Sequence, residues 1–177
     1  MDEKDNFDAN AALPRPHNLA GEIDARERRE LLVMKAGGHL ISIFADEADG
    51  IAEGLVPTPL PHAPPAVRGV VCMRGRMLTV LDPLVLLAES NTSETGAMRH
   101  FIVALRGDEQ LALAVERIER TIEISAEMVQ PLEHARSFKR GAVQYEEKSI
   151  VVLNPQEISG AAMQGKERRR QRTFRGE

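Results

Sequence analysis

The sequence predicts an all-β chain of two small barrels, and three observations carry that prediction. The first is internal repetition. Arg68-Gly69-Val70-Val71-Cys72-Met73-Arg74-Gly75-Arg76-Met77-Leu78-Thr79-Val80-Leu81-Asp82-Pro83 returns 72 residues later, without a gap, as the segment from Arg140 to Pro155. Upstream, Leu40 to Phe44 returns as Leu111 to Val115 at an offset of 71. Such self-similarity means one small fold built twice. The second observation is a series of short apolar runs separated by Gly, Pro and charged turns, the punctuation of strands rather than helices. The third is that each unit closes on the same helix-start signal, Asp82-Pro83 or Asn154-Pro155, an N-cap followed by proline at the first helical position.

Taken in order, the ordered part begins near Arg29. Leu31 to Lys35, Gly37-Gly38 and Leu40 to Phe44 read as a β-hairpin. Its counterpart is Phe101 to Leu105, a turn at Gly107-Asp108, and Leu111 to Val115. A charged turn follows each, Ala45 to Asp49 or Glu116 to Arg120, and then a third strand, Ile51 to Val56 or Thr121 to Ser125. Pro57, Pro59, Pro61, Pro64 and Pro65 make a stiff extended connector, because proline fixes φ and cannot serve a central strand. A second hairpin, Val67 to Met73 and Met77 to Leu81 around Arg74-Gly75, is echoed by Val143 to Tyr145 and Ser149 to Leu153 around Glu146-Glu147. Residues 88–96 are the polar link between units. The boundaries expected are an acidic tail over 1–28, a folded region over 29–159 with halves of about 29–89 and 98–159, and a basic tail over 160–177.

Composition narrows the function classes. The chain has 177 residues and one cysteine, Cys72, so it can bury a core without an internal disulfide framework. No apolar run approaches the roughly 20 residues that cross a bilayer. Met1 to Asp8 is acidic, unlike a signal peptide, so a cytoplasmic protein without direct membrane insertion is expected. Charge is polarised: residues 1–24 carry Asp2, Glu3, Asp5, Asp8, Glu22 and Asp24 against Lys4 and Arg15, while 160–177 carry Lys166 and five arginines against two glutamates. Tails of this kind are expected to be disordered, since little apolar burial offsets the ordering entropy.

The run from Pro57 to Asp82, a proline-flanked loop, an apolar strand, an Arg-Gly turn and a strand ending in Asp, resembles the CheW-like domain of bacterial chemotaxis coupling proteins. The resemblance extends weakly from about Leu31 to Ile158. It implies two intertwined five-stranded SH3-like barrels related by a pseudo-two-fold, with short helices. It implies a non-catalytic adaptor, a scaffold in two-component signalling, that bridges the cytoplasmic tip of methyl-accepting chemoreceptors to the regulatory domain of a CheA-type histidine kinase. The alternative within signalling is a kinase-binding scaffold of a non-motility pathway that does not touch conventional receptors.

By position, Arg74 matches the arginine of the family's Asn-Leu-Arg-Gly turn beside the receptor groove, and Gly75 permits that turn. With Met73, Arg76 and Glu47 these are the candidate partner-binding residues; on the residues alone, Arg74 also reads as a solvated hairpin-tip side chain. Glu47 and Gly50 stand where the family places apolar groove residues, and a carboxylate buried there unpaired would cost a few kcal/mol. Cys72, on an apolar strand, is expected to be a packed small hydrophobe.

Other chemistries find no support in the sequence. The five histidines form no i, i+4 pair, and Asp46, Glu47 and Asp49 lack a calcium-loop frame, so no metal is expected. Asp82 faces Asn154 in the repeat, each followed by proline, which does not suit a paired-aspartate protease. No nucleophile elbow, Walker loop or dinucleotide fingerprint occurs. No enzyme, cofactor or small-molecule substrate is therefore expected. Nucleic-acid binding through the basic tail is the rival class, but 3% aromatic residues offer few bases a stacking surface.

Overall fold

The computed structural model describes residues 28–87, 100–133 and 136–172, with side chains through 163. Among the described residues, ten strands and two α-helices follow in the order β1 (Arg28–Ala36), β2 (His39–Phe44), β3 (Ala48–Glu53), β4 (Val67–Met73), β5 (Arg76–Leu81), α1 (Pro83–Leu87), β6 (Phe101–Leu105), β7 (Leu111–Val115), β8 (Arg117–Ser125), β9 (Lys139–Tyr145), β10 (Lys148–Leu153) and α2 (Pro155–Arg172).

The strands form two five-stranded sheets, β8-β1-β2-β10-β9 and β3-β6-β7-β5-β4. The sequence units 29–89 and 98–159 therefore do not map one to one onto barrels: each sheet draws on both. In each, one pair is parallel, β2 with β10 and β5 with β7, and it joins strands of different units. Each sheet is then closed by a short bridge. Val70 and Thr58 exchange both backbone hydrogen bonds (2.8 and 2.9 Å), as do Ala142 and Gln130 (2.9 and 2.8 Å). This closure explains the repeated Arg-Gly pair. A Cβ on Gly141 would lie 2.5 Å from the Gln130 carbonyl oxygen, and one on Gly69 would run into that of Thr58. Only glycine lets the closing segment approach.

Burial falls into three cores. Leu31, Val33, Ile122, Val143 and Ile150 fill the first barrel. Val71, Leu78, Ile102, Ala112 and Ala114 fill the second. The largest lies between them, where Met34, Ile41 and Ile43 meet Leu81, Leu113 and Phe138, with α1 and α2 contributing Leu86 and Ile158. Successive residues of a strand face opposite ways, so Leu31-Leu32-Val33-Met34 is apolar throughout because one face fills a barrel and the other fills the seam. The same holds for β7, whose alanines point into the barrel and whose Leu111, Leu113 and Val115 point into the seam.

Several expectations are corrected. The third strand starts at Ala48, not Ile51, directly after a 3-10 turn over Ala45–Glu47, and Val56 is left 86% exposed. The turn expected over Glu116 to Arg120 is mostly strand: β8 begins at Arg117 and pairs with β1 through a bulge at Val33/Met34, its charges being tolerated on an exposed face. Cys72 is exposed, not packed, since alternation along β4 turns Val71 and Met73 inward. The helix after Asn154 is no short cue but an 18-residue α2, with Ala162 buried beyond the expected limit at 159. Its Ala, Gln, Met, Lys, Glu and Arg are good helix formers, and reading their charge as disorder overlooked that propensity. Of the acidic tail expected over 1–28, residues 1–27 lie outside the described residues, as does the polar link expected over 88–96; Arg28 already belongs to β1.

Candidate functional site

β4 and β5 are joined by two residues, Arg74 (φ 52°) and Gly75 (φ 76°), both left-handed. That is the pattern of a type I′ turn, whose twist matches that of the flanking strands. The sequence reading of Gly75 as turn chemistry fits this geometry. Arg74, bearing a Cβ, accepts a penalty of about 1 kcal/mol for the same conformation.

The hairpin tip is tied back to the start of β3. Arg76 Nη1 donates to Asp49 Oδ2 at 2.6 Å, and Arg74 Nη1 donates to the Asp49 carbonyl oxygen at 3.3 Å. Gly50 makes the close approach possible, since a Cβ there would sit 3.0 Å from Met73 Cε and 3.2 Å from Arg74 Cζ. Of the predicted residues, Met73, Arg74, Gly75 and Arg76 are thus brought together over Asp49-Gly50. Met73 is mostly inside, 8% exposed and packed in the barrel core, so it supports this surface from beneath. Cys72 and its cross-strand neighbour Met77, 64% exposed, lie on the outer side of the hairpin. Ile51, next to Gly50, is 42% exposed.

Glu47 does not join them. Its carboxylate accepts from Arg140 at 2.8 and 3.3 Å and from the Phe44 backbone N–H at 3.1 Å. The Arg140 guanidinium lies 4.8 Å from the Phe44 ring centroid and that of Arg29 3.4 Å from it, while Arg29 also grips Asp46 at 2.9 and 3.1 Å. The unpaired carboxylate feared from the sequence is therefore paired. A signal for this was present: Asn154 stands where the first unit has Asp82, which leaves Arg140 short of the acid that Arg68 holds at 2.8 Å.

The other barrel keeps the strand-to-tip tie with its charges reversed. Arg120, the repeat equivalent of Asp49, meets Glu146, the equivalent of Arg74, at 3.3 Å. One tip is basic and the other acidic. A tip with Arg76 on the Asp49 carboxylate and Arg74 on the Asp49 backbone carbonyl, beside exposed methionine and isoleucine, suits protein contact: apolar area supplies adhesion and arginine supplies register. Among the described residues, no three His, Cys, Asp or Glu side chains group so as to hold a metal ion.

Comparison with known proteins agrees with the fold. Residues 30–163 match the family model described as CheW-like domain. A chemotaxis protein CheW of Rhizobium meliloti (strain 1021) is 27% identical over 131 residues, covering 71% of this chain and 83% of that one. The crystal structure of the scaffolding protein TtCheW from Thermoanaerobacter tengcongensis aligns with a TM-score of 0.62 at 16% identity, over 72% of this chain and 84% of that one.

Proposed function

The chain belongs to the CheW-like domain family, and from that premise we propose that it is a non-catalytic adaptor coupling the cytoplasmic tips of chemoreceptors to the regulatory domain of a CheA-type histidine kinase. The observation that carries this reading is the tip of the β4–β5 hairpin. Arg74 makes no ion pair among the described residues and uses one Nη1 contact at 3.3 Å to the Asp49 carbonyl, which leaves most of its donors for a partner. Arg76 is held against Asp49, and Met77 and Ile51 add exposed apolar area. Such a surface binds a helical protein tip by burying methionine and isoleucine while the arginine selects register. Glu47 no longer argues against receptor binding, because its charge is spent on Arg140.

Gly50 favours keeping a second reading. Met73 and Arg74 occupy the space where a larger side chain would line a receptor groove, which suits a scaffold that binds the kinase domain without conventional receptors. Co-purification of the full chain with receptor-tip and kinase regulatory-domain fragments separates the two. Capture of both fragments is expected; capture of the kinase domain alone selects the scaffold, and capture of neither rejects coupling altogether.

A further inference from the structure

One mouth of the first barrel, away from the Arg74 hairpin, opens into a cleft of about 570 Å³. Its floor is the barrel's own interior, with Val33, Leu40, Ile122 and Ile150. Its rim carries four cations, Lys35, Arg117, Arg120 and Lys148, against two carboxylates, Glu119 and Glu146, with His39 and Tyr145 alongside. The carboxylates are engaged by the arginines: Arg117 donates to Glu119 at 2.6 and 3.0 Å, and Arg120 meets Glu146 at 3.3 Å. Lys35 and Lys148 form no ion pair among the described residues. The cleft already stabilises one anion. The hydrogen bond from Arg117, then the charges of Arg117, Lys35 and Lys148, holds the Glu119 carboxyl below the usual carboxylate range.

An apolar floor of this volume under a net positive rim fits an apolar or aromatic side chain flanked by carboxylates. The chain itself contains that chemistry in Asp5-Asn6-Phe7-Asp8, within a stretch that also holds Asp2 and Glu3. Reach is sufficient. From Arg28 to Lys35, β1 advances roughly 23 Å, whereas the 19 residues between Asp8 and Arg28 span up to roughly 60 Å. We propose that this barrel mouth is the docking site of the chain's own Asp5-Asn6-Phe7-Asp8 segment, with Phe7 on the apolar floor and the flanking carboxylates on Lys35 and Lys148. The segment then competes with any acidic partner for that mouth, which makes it a tethered occupant whose local concentration is set by the linker.

The chain carries its own probe, since Tyr145 is its single tyrosine, there is no tryptophan, and Tyr145 lines the cleft. Acrylamide quenching of Tyr145 fluorescence is measured on the full chain, on Phe7→Ala and on Asp5→Asn with Asp8→Asn, with circular dichroism confirming equal β-content. Both variants are expected to raise the quenching constant roughly twofold, as loss of a contact held at millimolar effective concentration would. High salt should do the same to the unmodified chain, and a synthetic peptide of residues 1–10 should restore protection to Phe7→Ala. Lys148→Glu should match Phe7→Ala and add nothing to it. Equal quenching in the full chain and Phe7→Ala would overturn the proposal. Protection that rises with protein concentration would overturn the tethered form, by assigning the cleft to the segment of a second copy.

Discussion

Glu47 and Arg140, 93 residues apart, form a two-pronged ion pair that replaces the acid missing from the second repeat. In the first unit Arg68 finds Asp82 at 2.8 Å; in the second, Asn154 reaches Arg140 at only 3.4 Å. Glu47, on the turn where the chain leaves one barrel for the other, supplies the charge.

Glu47→Gln is therefore expected to destabilise the fold by about 2 kcal/mol, since a half-buried guanidinium loses its charge partner. Adding Asn154→Asp should recover part of that loss by restoring the arrangement of the first unit. Urea denaturation of the wild type, both single variants and the double variant measures the coupling. Additive effects would mean that the two acids do not share Arg140.

Gly141→Ala and Gly69→Ala should each cost about 3 kcal/mol, because the new methyl meets a backbone carbonyl that cannot swing away. Gly38→Ala is the control, with no atom within 4 Å of its Cβ. Thermal melts should leave Gly38→Ala near the wild type, and equal melting of all three would refute the closure argument.

Arg74→Ala should change stability by no more than about 0.5 kcal/mol, as for other exposed positions, while weakening capture of receptor-tip fragments. Gly50→Ala should do likewise, since its Cβ would push against two flexible side-chain ends, Met73 and Arg74. Parallel loss of melting temperature and capture would assign Arg74 to the scaffold.

Glu119 has a lowered pKa in the folded chain, chiefly through its Arg117 hydrogen bond. Its stabilising contribution is thus complete above the ordinary carboxylate value of 4.5 and fades as pH falls through the lowered folded value. The melting-temperature gap between the wild type and Glu119→Gln should be constant from neutral pH down to about 5 and then narrow. A gap that widens on acidification would contradict the sign.

Much of the site was legible because turn chemistry is local. Arg74-Gly75 and Glu146-Glu147 were readable as hairpin tips, and both prove left-handed. The tie from Arg76 to Asp49 was not readable, because it joins residues 27 apart whose approach depends on the glycine at position 50. Cys72 was misplaced because an apolar run on both faces of a strand hides which face is inside.

The amino-acid order alone determined the doubling, most of the strand-forming segments, the two-residue hairpin turns and the family resemblance, since all of these follow from periodicity and spacing within short windows. Only the tertiary structure decided which sheet each strand joined, that Glu47 serves Arg140, and that Cys72 faces outward. Two similar units present similar strand edges, so local preference cannot choose between pairing within a unit and pairing across units. Burial of the shared seam makes that choice, and it links residues far apart in the chain.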